Sequence, residues 1–462
     1  MRLENDLGHD RIRQLVFRLA IPSMLAQFVS VLYSIVDRMY IGNIAEVGEL
    51  ALAGVGVCGP IVTLVSSFSS LIGFGGAPLL SIRMGEKNQE EAKKVLANGF
   101  MMLFVISLIL TVVSLLVKDQ LLMWFGASEV TFPYADQYIT VYLMGTVFAL
   151  LSTGMNQFII CQGFAKIGMK SVMLGAVLNL VLDPIFIFTF HMGAAGGALA
   201  TVISQACSAA YVLRFLFGSQ VPVRITFGGY SARVCRKILS LGFSPFIIIA
   251  FDNILIIAMN TVLQTYGGPE RGDMLLTCAT IMQSFMLMIT MPLGGITAGT
   301  QSILGFNYGA MKIHRVRQAE RQILKLTVLF TLIMLILSQT MCRYFVLIFT
   351  RDPEYVAMSV RAIRISTLMV VPLAFQYTFV DGFTGMGIAK AAISLSFFRK
   401  ALFFVLVVLL PRYFGVEAVF WTEPIIDLTA AAVSTTFFMT CSGRILKKRL
   451  EVGKERMHMR QA

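Results

Sequence analysis

The chain has 462 residues, 57% of them hydrophobic and only 14% charged, with a mean hydropathy of +0.78. A soluble domain carries about 25% charged residues, so these figures exclude a soluble enzyme or binding module and require a chain embedded in a membrane. The net charge of +13 does not point to nucleic acid, because the basic residues sit in short loops between apolar runs and in a tail. There they read as orientation signal and as contact with anionic lipid.

Met1 to Asp10 is polar, and the first apolar run is too long for a signal-peptide core and lacks a small-residue cleavage site, so it reads as an uncleaved span. Twelve apolar segments follow at 14–40, 50–80, 93–117, 133–158, 168–190, 193–217, 234–264, 275–307, 319–348, 357–385, 390–411 and 416–440. Each is long enough to cross a hydrocarbon core of about 30 Å. The first, second, seventh and eighth exceed the usual ~20 residues and are expected to tilt, bend or project. Most of the 38 Lys and Arg fall on one side of this weave, which predicts that side, and both termini, to be cytoplasmic.

In the first half, segment 14–40 carries Pro22, Tyr33 and Asp37. Tyr33 and Asp37 are four residues apart and share a helical face. Asn156 lies towards the inner end of segment 133–158. Segment 168–190 holds Asn179-Leu-Val-Leu-Asp183-Pro184, in which Asn179 and Asp183 again share a face. Pro184 has no N–H, so the Leu180 carbonyl loses its helical partner. An amide, a carboxylate and a freed carbonyl inside an apolar run suit Na⁺, and the carboxylate alone suits a proton. Thr201 follows the small-residue run from Gly193 to Ala198, which allows close helix approach. If the helices bundle, these residues surround one polar pocket, and two neighbouring carboxylates there cannot both stay ionised cheaply. Taken singly, Thr201 and Asn156 fit ordinary interhelical hydrogen bonds equally well.

An internal repeat appears at an offset of about 222–224 residues. Arg13…Pro22 aligns with Arg236…Pro245, Gly75…Gly85 with Gly299…Gly309, and Gly163 with Gly385. An even number of spans per half makes this a parallel repeat about the membrane normal, with binding expected at mid-depth between the halves. The division predicted is an amino-terminal lobe at 1–212, a linker at 213–233, a carboxyl-terminal lobe at 234–442 and a basic tail at 443–462. The second half has its own polar set, Asp252, Asp381, Glu423, Asp427, Arg399 and Lys400. Asp252 and Asp381 either form a second cation or substrate site or pair with Arg399 and Lys400. The repeat counterparts of Asp37 and Asp183 are Asn260 and Val405.

Other chemistry finds no support. The seven cysteines are scattered without a CxxC, the four histidines are mutually distant, and no Walker sequence or nucleophile–base pair is present.

The blocks Ile21-Pro22, Val36-Asp37…Gly42, Gln162-Gly163, Asn179…Asp183-Pro184, Gly193…Thr201 and Gly415…Trp421 resemble the multidrug and toxic compound extrusion (MATE) family, nearest the bacterial MepA-type members of its DinF-like branch. The likeness runs from Arg13 to about Thr440. It implies an all-α fold of twelve transmembrane helices in two six-helix lobes, related by pseudo-two-fold symmetry and forming a V around a central cavity. It implies a secondary antiporter of the bacterial cytoplasmic membrane, monomeric and without cofactor, exporting amphipathic or cationic drugs in exchange for Na⁺ or H⁺. By the same resemblance the coupling site is Asp37, Asn179, Asp183 and Thr201, with Asn156 nearby, the first helix bends at Pro22, and Asp252 and Asp381 correspond to carboxyl-terminal-lobe acids of the NorM-like branch. The alternative within the superfamily is a flippase of lipid-linked sugars, which predicts more than twelve spans and a strongly cationic cavity.

Overall fold

A computed structural model describes residues 5–44 and 48–461, and among these no strand occurs. Residues 1–4 and 45–47 of the predicted amino-terminal lobe and Ala462 of the predicted tail lie outside the described residues. The first half contains α1 (Ile12–Gly42), α2 (Gly48–Gly85), α3 (Gln89–Trp124), α4 (Phe132–Met144), α5 (Thr146–Ile160), α6 (Ala165–Pro184) and α7 (Gly193–Phe217). The second contains α8 (Ala232–Gly309), α9 (Ile313–Thr340), α10 (Cys342–Val346), α11 (Pro353–Ser366), α12 (Val370–Gly385), α13 (Ala389–Phe414) and α14 (Thr422–Gln461). Gly268, at φ 68°, breaks α8 into two arms, Ala232–Gly268 and Met274–Gly309. Among the described residues ten helices are long and apolar enough to cross a membrane, and twelve spans result when each of two bent pairs is one span.

Those two bent pairs are repeat mates. α4 and α5 meet at 56° around Gly145, and α11 and α12 meet at 49° after Ser366. The side chain of Val202 presses on Gly145 so closely that a Cβ there would lie 2.3 Å from it. The helix openings at Gln89, Thr146 and Ala165 recur 224 residues on at Ile313, Val370 and Ala389. Even the strained turn recurs at that spacing: Lys87 after α2 and Met311 after α8 both take a left-handed backbone, φ 56° and 58°. A non-glycine residue in that region is uncommon, so the match marks a shared local fold.

Each half has its own apolar core. One gathers around Ile72, Leu103, Ile139 and Phe158, the other around Ile289, Val346 and Leu373. A third cluster joins Leu15, Leu19 and Ile160 of the first half to Ile303, Phe383 and Leu395 of the second.

Two predicted boundaries shift. α7 runs to Phe217, so residues 213–217 belong to the last helix of the first half and not to the linker. The remaining connection is tied down rather than loose. Val223 N donates to Gln162 Oε1 at 2.9 Å, and Asn98 both donates to the Gly229 carbonyl (3.2 Å) and accepts from Ser231 N (3.0 Å). The basic tail predicted at 443–462 continues α14 through Gln461 without a break. Its Lys, Arg and Glu are good helix formers, and charge pattern alone does not end a helix.

Candidate cation site between α1, α6 and α7

Pro184 closes α6, and the chain continues as a π-turn over Ile185–Thr189. The missing proline N–H loosens the helical ladder at this turn, and single π-turns of this kind often mark functional positions. One turn before it, Asn179 and Asp183 are almost wholly buried, at 3% and 1% exposure. Asn179 Nδ2 donates to Asp183 Oδ1 at 3.0 Å and to Thr201 Oγ1 on α7 at 3.3 Å. The Thr201 hydroxyl in turn donates to the Gly197 carbonyl at 3.0 Å.

Asp37 enters from α1. A Cβ on Gly197 would stand 3.6 Å from Asp37 Oδ1, so the bare backbone of α7 forms the wall behind that carboxylate. The carboxyls of Asp37 and Asp183 lie close enough to interact. Two neighbouring carboxylates in low dielectric repel strongly, so such a pair favours a state in which one of them carries a proton. The four residues expected to form the coupling site thus stand together.

The same pocket contains Tyr33, expected from its spacing to Asp37, together with Tyr138, Tyr142 and Gln205, which sequence reasoning missed. Tyr33 lies close to Asp37, Asp183 and Tyr142, and Tyr138 lies close to Asp37, Tyr33 and Tyr142. Tyr138 and Tyr142 stack one turn apart on α4, with centroids 6.3 Å apart and planes at 8°. The Tyr142 hydroxyl reaches Ser66 Oγ at 3.5 Å and the Gln205 side chain. The available signals were the four-residue spacing of Tyr138 and Tyr142, and Gln205 standing four residues after Thr201.

Asn156 stands elsewhere. Its Nδ2 donates to the Gly168 carbonyl at 3.4 Å, near the start of α6. Gly168 and Asp183 are separated by about 22 Å of helix at 1.5 Å per residue. Pro22, expected to bend the first helix, lies inside α1, which runs without interruption from Ile12 to Gly42.

In the second half Asp252 pairs with Lys400. Asp381 takes no basic partner among the described residues; it accepts from Thr297 Oγ1 at 2.5 Å and bonds Gln301. Arg399 donates to Asp427 Oδ1 at 2.8 Å and to Glu423 Oε2 at 3.4 Å. The two alternatives for these acids are therefore divided, with Asp252 in an ion pair and Asp381 in a hydroxyl and amide setting. No group of three or more His, Cys, Asp or Glu that could hold a metal ion occurs among the described residues.

A repeated helical membrane fold with two acids held between the helices of one half defines a polytopic membrane protein, and comparison with known proteins gives its class as a transporter family. The chain belongs to the MatE family, whose model matches residues 22–185 and 249–409. It is similar to the multidrug export protein MepA of Staphylococcus haemolyticus, 23% identical over 441 residues and 94% of each chain. MepA of Staphylococcus aureus is 23% identical over 407 residues, 87% of this chain and 88% of the relative. Among solved structures, MATE in complex with MaD3S superposes with a TM-score of 0.88 at 24% identity, covering 96% of this chain and 98% of the other. The outward-facing conformation of a multidrug resistance MATE family transporter of the MOP superfamily matches at 0.88 and 23%, over the same shares. These likenesses establish the fold of two repeated bundles expected from the sequence.

Proposed function

We propose that the protein is a secondary active exporter of amphipathic cations, driven by protons that load and leave the Asp37–Asp183 pair. The contact between these two carboxyls is the observation that carries the reading. It holds one proton in place and makes the site's affinity for a second depend on its surroundings. The orientation of Asn179 supports a proton over Na⁺: its N–H₂ group points at Asp183 and Thr201, whereas Na⁺ calls for converging oxygens. Tyr33, Tyr138 and Tyr142 give the pocket aromatic walls suited to a delocalised cation. The naming of the MepA relatives as multidrug export proteins supports the substrate class.

In the cycle, protonation from outside neutralises the pair and releases the cationic drug, and deprotonation towards the cytoplasm restores the charge that attracts the next one. Alternation requires only that the proton bind the two states with different affinity. The protein acts as a monomer in the cytoplasmic membrane with both termini inside. Purified protein in proteoliposomes tests this: Asp183→Asn should abolish dye efflux driven by a pH gradient, and a Na⁺ gradient alone should drive none in the parent. Undiminished efflux from the variant removes the pair from the mechanism, and flipping of a lipid-linked sugar without dye efflux would favour a flippase.

A further inference from the structure

Glu320 is a carboxyl that the cation site does not use. It lies two turns into α9, is 5% exposed, and its Oε1 is buried without a hydrogen-bond partner. That oxygen rests on Gly382 of α12, the residue after Asp381; a Cβ on Gly382 would stand only 2.4 Å from it. The notch left by a missing side chain is therefore filled by an acid.

An isolated carboxylate cannot stay ionised in such a place without a compensating charge. None is at hand among the described residues. On α9 itself Arg317 and Arg321 are exposed. On α1 Arg11, Arg13 and Arg18 are exposed, and Arg18 reaches Asp10 instead. The stretch of α8 from Leu293 to Gly309 has no charged residue. On α12 the nearest acid, Asp381, is bonded to Thr297 and Gln301. Arg364 of α11 meets α9 only at its far end, through Gln339. A metal ion is equally unsupported, since Glu320 belongs to no acid, His or Cys cluster. Val316, Ala319 and Ile323, its neighbours along α9, and Phe383, the residue after Gly382, all belong to the apolar cluster that joins the two halves.

We propose that Glu320 is a second proton-binding site, neutral while α9 and α12 are packed as here, which releases its proton to the cytoplasm when the halves part on that side. The bound proton follows from the geometry alone; its release rests on the alternating-access reading above.

The test uses the full-length protein in lipid, with ¹³C-carboxyl glutamate to separate glutamic from aspartic acids in the infrared. At neutral pH the parent should show a protonated glutamic acid band that Glu320→Gln removes and Asp183→Asn leaves in place. Absence of that band in the parent, or its persistence in Glu320→Gln, overturns the site. Should Glu320→Gln fail to fold, Gly382→Ala should displace the band, and an unmoved band overturns the site equally. The release step is read separately: Glu320→Gln should slow pH-driven dye efflux by about tenfold. Parental efflux rates would overturn that step while leaving the bound proton standing. If the parent pumps no dye under a pH gradient, the function proposed above fails, and the infrared result still decides the site.

Discussion

Gly85 and Gly309 touch the opposite halves in the same way. A Cβ on Gly85 would lie 2.0 Å from the Phe306 carbonyl oxygen, and one on Gly309 would lie 2.1 Å from the Ile82 carbonyl oxygen. Both residue pairs, Ile82 with Phe306 and Gly85 with Gly309, are 224 apart. This is a self-complementary contact written twice in one chain, as at the interface of a two-fold dimer. It closes the seam between α2 and the second arm of α8, backbone against backbone. Gly309→Ala should therefore cost about 1–3 kcal/mol through overpacking, seen as a lower unfolding temperature in detergent. Gly443→Ala, where nothing stands within 4 Å of the new methyl, should leave it unchanged.

Asn179 holds the acid pair in register by bonding Asp183 and Thr201 at once. Asn179→Leu keeps the branched outline in a bulkier apolar form and removes both bonds, each worth roughly 0.5–3 kcal/mol depending on the charge of the acceptor. Dye efflux should fall by about tenfold or more while membrane expression is retained. Parental efflux would show that Asp183 needs no such support.

Arg399 serves two acids, the half-buried Glu423 and the fully buried Asp427. Removing one member of a buried ion pair strands the other, at about 3–5 kcal/mol. Arg399→Met should give little folded protein, judged by gel filtration in detergent. The triple variant with Glu423→Gln and Asp427→Asn should recover most of it. No recovery would mean that the guanidinium does more than balance charge.

Glu86, in the turn between α2 and α3, is partly buried, which by itself raises its pKa. Hydrogen bonds from Arg449 and from Arg83 (2.6 Å), with their charges, outweigh that and hold it below the ordinary glutamate value. A lowered folded-state pKa means stability present above the unfolded value and lost as pH falls through the folded one. Below about pH 4.5 the parent should lose thermal stability more steeply than Glu86→Gln, in which that linkage is gone. Equal slopes would show that the ion pair contributes nothing to the fold's acid sensitivity.

The repeat and the clustering of Asp37, Asn179, Asp183 and Thr201 were legible because they rest on local rules. Asn179 and Asp183 share a face by helical spacing, Pro184 announces a disturbed turn, and an acid in an apolar run has few other uses. Asn156 misled because segment 133–158 reads as one rod, whereas the bend at Gly145 brings the tyrosines of α4 to the pocket and leaves Asn156 near the start of α6. A bend at a glycine packed against Val202 of another helix has no signature in the segment that bends. Glu320 was illegible for a related reason. It stands at the edge of 319–348 beside Arg317 and Arg321, where an acid reads as solvated, and only Gly382 on a distant helix shows where its carboxyl goes.

The closeness of Asp37 and Asp183 also bears on the energetics of the proposed proton coupling. On that proposal, a pair that keeps one proton at rest has room for a single additional one, and an exchange of one proton for one monovalent passenger would move no net charge. Membrane voltage would then do no work on the exchange, and the difference in acidity across the bilayer alone would set the drug gradient.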